Sequence, residues 1–496
     1  MDIFSIMVLR QRPDIHAPIL DVSTNNEQSV TPGFIFLAPY ETALPGPYTY
    51  DMSGELVWSG SNGSTTVISH DLHVCSYAES DHLCFFQGAQ IGGYARGLSV
   101  FLDNEYKPAA TVQSGRGLEL SDMHELRIFD EDRVLITVYQ PKQYDLVSSG
   151  IPAANGWVMS GVFQEINITS GEVLFQWSSL DHVPLSETYT PFGLNPAVGN
   201  GLSNTTPWDY FHINSVDKSS KGDCYNSECE ETCSIQRSDY IVSSRHTSTI
   251  YKVSGKDGSL LWRLGGKESS FTWVDYNFSS QHDARLREEN QTHTILSLFD
   301  NGSDNYRNTS STSAGMILAL DHRTNTSNIL NRFEAPGKGL LSTSQGNTQM
   351  LPNGNVFIGW GENPSVSEHT ADGSVVYIAT LKDQNAMNYR AFKWNWTATP
   401  SVPPDVFAQA SSPNAPFTFW ASWNGATEYN SWNFYGSKSN SDPLVLLGSV
   451  TRQGFQTTFT FPQFYSHALA EAVSADGTGL RNSTIITVAL PKASKK

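Results

Sequence analysis

The stretches DMSGELVW (Asp51 to Trp58), LDNEYKPAATV (Leu102 to Val112), ITSGEVLFQW (Ile168 to Trp177), GKDGSLLWRLGG (Gly255 to Gly266), DHRTNTSNILNRF (Asp321 to Phe333) and ADGSVVYIA (Ala371 to Ala379) decide the fold of this chain. Each is a polar turn, usually built on Asp and Gly, followed by alternating apolar residues, and several end in Trp. Alternation of that period belongs to a half-buried strand after a tight turn, so these are six hairpins. Their spacing runs from roughly 45 to 90 residues, which suits four-stranded propeller blades with and without loop insertions. Between successive hairpins lies a second unit, a short strand, an acidic or Asn-Gly turn and a strongly β-prone strand. It reads MHELRIFDEDRVLITVYQ from Met123, FHINSVDKSS from Phe211 with DYIVSSRH from Asp239, QHDARLREENQTHTILSLFD from Gln281, and GNTQMLPNGNVFIGWGE from Gly346.

No amphipathic helical stretch interrupts these units, so the expected fold is all-β, a six-bladed propeller over residues 31–400 after an N-terminal segment 1–30. Past residue 400 the texture changes. A proline-rich linker, TPSVPPDVF, leads into about seven short alternating strands, expected to form a small fibronectin III-like sandwich over 401–496 that braces the propeller.

The 496 residues carry 31 Lys and Arg against 49 Asp and Glu, a formal charge of −18, with no basic run. That balance argues against nucleic acid or an anionic membrane as partner. No stretch approaches the roughly 20 apolar residues a membrane span needs. Small neutral or aromatic molecules remain open as ligands. The N-terminus lacks the basic region and cleavage site of a signal peptide, yet ten Asn-x-Ser/Thr sequons, at Asn62, Asn167, Asn204, Asn277, Asn290, Asn301, Asn308, Asn325, Asn395 and Asn482, point to a secreted glycoprotein. Of the five cysteines, Cys75 and Cys84 flank a hairpin and could pair, while Cys224, Cys229 and Cys233 suggest a disulfide-pinned loop with one thiol left over. A zinc reading of that cluster lacks a second paired ligand motif.

The innermost strands of a propeller line its central channel, and equivalent positions in different blades converge on the axis. Aligning the second unit by its turns places His124, His212 and His282 at one level, with His73 in a fourth blade and Asn347 in a fifth. Polar residues recurring at one repeat position describe a ring rather than core filler. A lone histidine in such a fold is more often a structural hydrogen-bond donor, and His73, His293 and His322, each taken alone, are read that way.

The densest constellation runs through WDYFHINSVD, SSRHTSTIYKV, LLWRLGGK and SSQHDARL, from Trp208 to Leu286. Over nearly the whole chain the sequence resembles the arylsulfotransferase family, whose bacterial members are six-bladed propellers, and more closely the fungal proteins of that type. The resemblance implies a catalytic set of His212, His246, Arg263 and His282. His282 would be the transient sulfate acceptor, and the other three would hold sulfuryl oxygens and protonate the departing phenol. His124, Trp208, Asn214 and Asn347 are expected to contact substrate.

Neutral imidazole is a competent nucleophile, and Arg stabilises charge developing on oxygen. No nucleotide motif is present, and the expectation is a site without cofactor or metal. Three histidines on one ion would need a carboxylate second shell, for which only Asp209 and Asp283 adjoin. The fungal resemblance also implies a second chemistry, because some of these propellers are hetero-Diels–Alderases that join a tropolone o-quinone methide to a humulene-type polyene. That reaction is placed ahead of nucleotide-independent sulfotransfer through a sulfohistidine. A non-catalytic binding propeller is the third reading.

Overall fold

In the computed structural model, residues 9–130, 132–147, 151, 155–193, 198–219, 238–337 and 339–491 are described. The segment holding Cys224, Cys229 and Cys233 lies outside them. Among the described residues the protein is all-β and propeller-like; the only helical pieces are 3-10 turns such as Ser179–Asp181 and Leu185–Glu187. No helix of the described residues is long and apolar enough to cross a membrane.

Successive antiparallel sheets follow the chain. Leu126–Phe129, Arg133–Tyr144, Gly156–Asn167 and Val173–Ser178 form one meander, and Ile213–Lys218, Tyr240–Ser244, Thr249–Val253 and Leu260–Gly265 the next. Ile68–Tyr77 opens an earlier sheet, His282–Glu289 and Asn347–Met350 open two later ones. The six hairpins expected from sequence are antiparallel pairs here. In register, Tyr48 faces Ser59, Ser99 faces Val112, Phe163 faces Trp177, Tyr251 faces Arg263, Gly315 faces Phe333 and Ser367 faces Ile378. Their alternating apolar residues bury between neighbouring sheets; Phe163, Trp177, Phe211 and Tyr251, for instance, share one core cluster.

The chain closes on itself twice. Leu20–Asn25 pairs with Val375–Leu381, and Phe392–Trp394 pairs with Phe34–Leu37. Glu368 locks the seam, its carboxylate accepting from Thr31 N, Asn355 Nδ2 and Lys393 Nζ at 2.8, 2.7 and 2.6 Å. Cys75 and Cys84 form a disulfide across two strands of one sheet.

After residue 400, Asp405–Ala410, Phe417–Ser422 and Thr457–Phe461 form one sheet, and Ser431–Ser437 with Val445–Thr451, His467–Val473 and Gly479–Asn482 the other. Phe417, Phe419, Trp432 and Phe434, at alternate positions, are buried between them. This unit is fixed to the sheets before it by reciprocal bonds between Asn424 and the Ser59 backbone, 2.9 Å each, and by Tyr106 Oη donating to Gly425 O at 2.8 Å.

One alignment made from sequence is corrected here. The residue level with His124 in the Ile68–Tyr77 strand is His70, not His73, because the pairing with Ser80–Ile91 slips between His70 and His73, with Asp71 at φ +60°. A bulge of this kind changes which residues face inward, and a period-two reading cannot cross it.

Candidate active site

The same device recurs at two of the other sheets that reach the axis. The register slips between His282 and Arg285, where Asp283 has φ +54°, and between Ile213 and Ser215, next to His212 at φ +53°. Non-glycine residues adopt this left-handed geometry only where the surroundings enforce it. The result is two layers at the axis, an upper one of imidazoles and a lower one of charged groups.

In the lower layer Arg390 is fully buried. It donates to Asp71 and Glu125 at 3.1 Å each and to Asn214 O at 2.9 Å. Arg285 meets Glu125 at 2.8 Å and Asp283 at 2.7 Å. Tyr389, just above, donates from its hydroxyl to the carbonyls of His124 and Asn214, at 3.1 and 3.0 Å, and packs its ring edge-on against His70, His124 and His282. Tyr389 and Arg390 thus stopper the axis. His73 belongs below the stopper, where it lines a small chamber with Arg127 and Arg285.

Above it opens a cavity of about 850 Å³ whose floor includes His124, His212, His246 and His282. Each imidazole has an acceptor at Nδ1: Asp122 and Asp209 carboxylates at 2.6 Å for His124 and His212, Asp209 O at 2.6 Å for His246, and Asn301 Oδ1 at 2.7 Å for His282. In the neutral ring, that acceptor fixes the proton on Nδ1 and leaves Nε2 as the basic atom. Burial, reinforced by neighbouring histidines and Arg245, holds His212 and His282 well below the usual imidazole range; burial likewise takes His246 down to about 3.

Arg245 is the cation of this site. It donates to His246 Nε2 and Thr343 O at 2.9 Å each, and its buried Nε has no partner. Nor does any carboxylate of the described residues form an ion pair with it. Burial pulls its guanidinium below the usual range. Met123, Met159, Met387, Tyr94 and Val198 supply an apolar side of the cavity, and Asp304 and Glu362 a polar one.

Asp209, His212 and His246 bring one potential metal-ligand atom each within 4.8 Å of one another. All three residues already spend such atoms on close hydrogen bonds, His212 and Asp209 with each other and His246 with Arg245.

His124, His212, His246 and His282 therefore converge as the sequence suggested; the other four residues singled out there do not line the cavity. Arg263 lies on the outer strand Leu260–Gly265, where its guanidinium meets Glu187 at 3.0 Å. Trp208 is buried against Phe192. Asn214 donates to Gln281 O at 2.6 Å, and Asn347 bonds both N and O of Ala391 at 2.9 and 2.8 Å, so each joins neighbouring strands. Sequence reasoning passed over Arg245, although it adjoins His246 in SSRHTS, and missed His70, Tyr389 and Arg390, which no motif marks.

An all-β, propeller-like architecture with imidazoles gathered at the axis defines the class of this protein. Residues 73–382 match the arylsulfotransferase (ASST) family, and the chain belongs to that family. No curated protein matches it. Among solved structures it is similar to a protein of unknown function from Bacteroides caccae, 14% identical over 73% of this chain and 99% of that one, with a TM-score of 0.39. Apo AztD from Citrobacter koseri is 9% identical over 73% and 99%, TM-score 0.27. The WD40 domain of SCAP from fission yeast is 9% identical over 85% and 86%, TM-score 0.27.

Proposed function

We propose that this chain is a hetero-Diels–Alderase working without cofactor, built as a six-bladed propeller over 31–400 with a fibronectin III-like sandwich over 401–496. It would join a tropolone o-quinone methide to a humulene-type polyene. The observation that carries the reading is Arg245, a buried guanidinium that no carboxylate of the described residues contacts directly, in the wall of a cavity large enough for a polycyclic ligand. A quinone-methide oxygen gains negative charge as the ring closes. A fixed cation facing it in a site poor in water lowers that barrier more than it stabilises the neutral ground state. The methionine and tyrosine side would hold the polyene, since thioethers adapt to irregular apolar shapes, and the enclosure brings diene and alkene together while excluding the water that would quench the quinone methide. His212, His246 and His282, held neutral by burial, then pack with His124 around the tropolone.

Sulfotransfer is the second reading. Asn301 favours it by fixing His282 in the tautomer whose Nε2 could attack sulfur. Two features weigh the other way. The Gln345 backbone N–H already points at that Nε2, at 3.3 Å, and Arg263 stands off with Glu187.

The test is a pair of assays on the purified chain. The first supplies a tropolone quinone-methide precursor with humulene and follows formation of one stereoisomer of adduct over the uncatalysed mixture. The second supplies p-nitrophenyl sulfate and follows phenol release with intact-protein mass spectrometry. Selective adduct formation without a sulfo-enzyme supports the proposal; a phenol burst with a sulfo group on His282 overturns it in favour of sulfotransfer.

A further inference from the structure

Of the ten sequons, eight asparagines are exposed, Asn167 is half-buried and Asn301 is buried. Two stand seven residues apart on the loop that borders the cavity, and their surroundings are opposite. Asn301 is fully used inside the protein. Its Oδ1 accepts from His282, and its Nδ2 donates to Ser342 O and Gln345 O at 2.8 and 2.9 Å. A sugar on that nitrogen would replace one of its two N–H groups and break one of these donations, and it has no room. Asn308 is exposed, and only its Oδ1 is engaged, accepting from Ser303 Oγ at 2.7 Å. An N-linked sugar there leaves that hydrogen bond intact, because the acceptor oxygen is not the atom modified.

Tyr306 precedes Asn308 by two residues and is 71% exposed while also lining the mouth of the cavity. Of the sequons with an exposed or half-buried asparagine, Asn308 is the one with an aromatic residue at that spacing. An exposed aromatic face beside the acceptor offers the apolar face of a pyranose a stacking surface, of the kind that aromatic rings supply to other apolar groups. The loop is held in place to present it: Ser303 and Asn308 bridge as an antiparallel pair, Thr309 N donates to Gly302 O at 2.8 Å, and the Arg307 guanidinium lies 4.4 Å over the Tyr189 ring. The Cys75–Cys84 disulfide belongs to the oxidising compartment in which such modification occurs.

We propose that Asn308 is an N-glycosylation site whose first sugar rests on Tyr306 at the mouth of the cavity. In the transfer, Asn308 Nδ2 bonds to the anomeric carbon of an oligosaccharide carried on a lipid diphosphate. The carbon–oxygen bond to that diphosphate breaks, the lipid diphosphate leaves, and the amide gives up one proton; nothing is oxidised or reduced. The glycan then narrows the solvent path to the cavity without touching the imidazoles.

The test secretes the full chain from a yeast behind an added leader and maps glycopeptides before and after enzymatic release of N-glycans. Asn308 is expected to be occupied and Asn301 bare, and Asn308→Gln is expected to lose one glycan's mass from the intact protein. Asn308 bare, with or without glycans elsewhere, overturns the proposal. NMR of the purified glycoprotein reads the stacking: the first N-acetylglucosamine of the wild type should show upfield-shifted ring protons that return to ordinary positions in Tyr306→Ala, which keeps the sequon. Identical sugar shifts in the two proteins overturn the Tyr306 contact.

Discussion

Two arginines separate the readings of this site. Arg245 faces the cavity with no carboxylate of the described residues in direct contact, whereas Arg263 is paired with Glu187 on an outer strand. Arg245→Met is therefore expected to slow adduct formation roughly 10- to 100-fold, with a smaller change in KM, because the charge it stabilises exists mainly in the transition state. Arg263→Met should leave the rate within about threefold. Side-by-side kinetics of the two variants check this, and a larger loss at Arg263 would restore the role the family motif gives it. The buried imidazoles make a second residue-scale expectation. His70 and His246 are held to about 3 and His73 to about 4, in each case chiefly by burial, while a free imidazole titrates near 6.5. Between those values the unfolded chain holds protons that the folded chain lacks, so stability falls as pH drops below about 6.5, at up to about 1.4 kcal/mol per pH unit for each such group. His70 has neither ring nitrogen bonded, so His70→Phe should fold well and show a shallower loss of urea-unfolding free energy between pH 6.5 and 4.

Among elements, the hairpin of Ser80–Ile91 and Tyr94–Leu102 delivers Gln90, Gly93 and Tyr94 to the wall of the cavity. Gly88 faces Gly97 within it. A Cβ on Gly97 would lie 2.1 Å from Gln87 O and 2.6 Å from Gly88 Cα, both main-chain atoms that cannot rotate away. Gly97→Ala is thus expected to cost about 2 to 4 kcal/mol in urea unfolding by forcing the strands apart. Asn347 makes a different case. Bonded to both backbone groups of Ala391, it joins two strands, and Asn347→Ala should lower stability by about 2 to 4 kcal/mol through orphaned backbone groups while leaving KM unchanged. A shift in KM without loss of stability would return it to the substrate.

For the whole molecule, closure is the central requirement, since every sheet is held by its neighbours and the ring fails if the seam opens. Glu368 gathers Thr31, Asn355 and Lys393, residues far apart in sequence, around one buried carboxylate. Glu368→Gln would leave the Lys393 ammonium buried without its counter-charge, an expected loss of about 3 to 5 kcal/mol. Equilibrium unfolding checks it, and the double variant Glu368→Gln with Lys393→Met should recover part of the loss because the stranded charge is then gone.

How much of this was legible beforehand follows the range of the forces involved. Strand alternation, Asp-Gly turns and their recurrence are local, so the hairpins, the all-β class and the change of texture near residue 400 could be read from neighbouring residues alone. So could His212, His246 and His282, because short motifs carry them. The tertiary structure decided the rest. Bulges at Asp71 and Asp283 shift register by a residue that no period-two count detects, which put His70 rather than His73 at the axis. Arg263 lies inside an outer strand and Arg245 just past the end of an inner one, and Arg245 gained its place by facing Thr343, 98 residues away. The stopper of Tyr389 and Arg390 arises where segments distant in sequence meet, and its carboxylate and carbonyl partners, Asp71, Glu125, His124 and Asn214, are brought to it only by the tertiary fold.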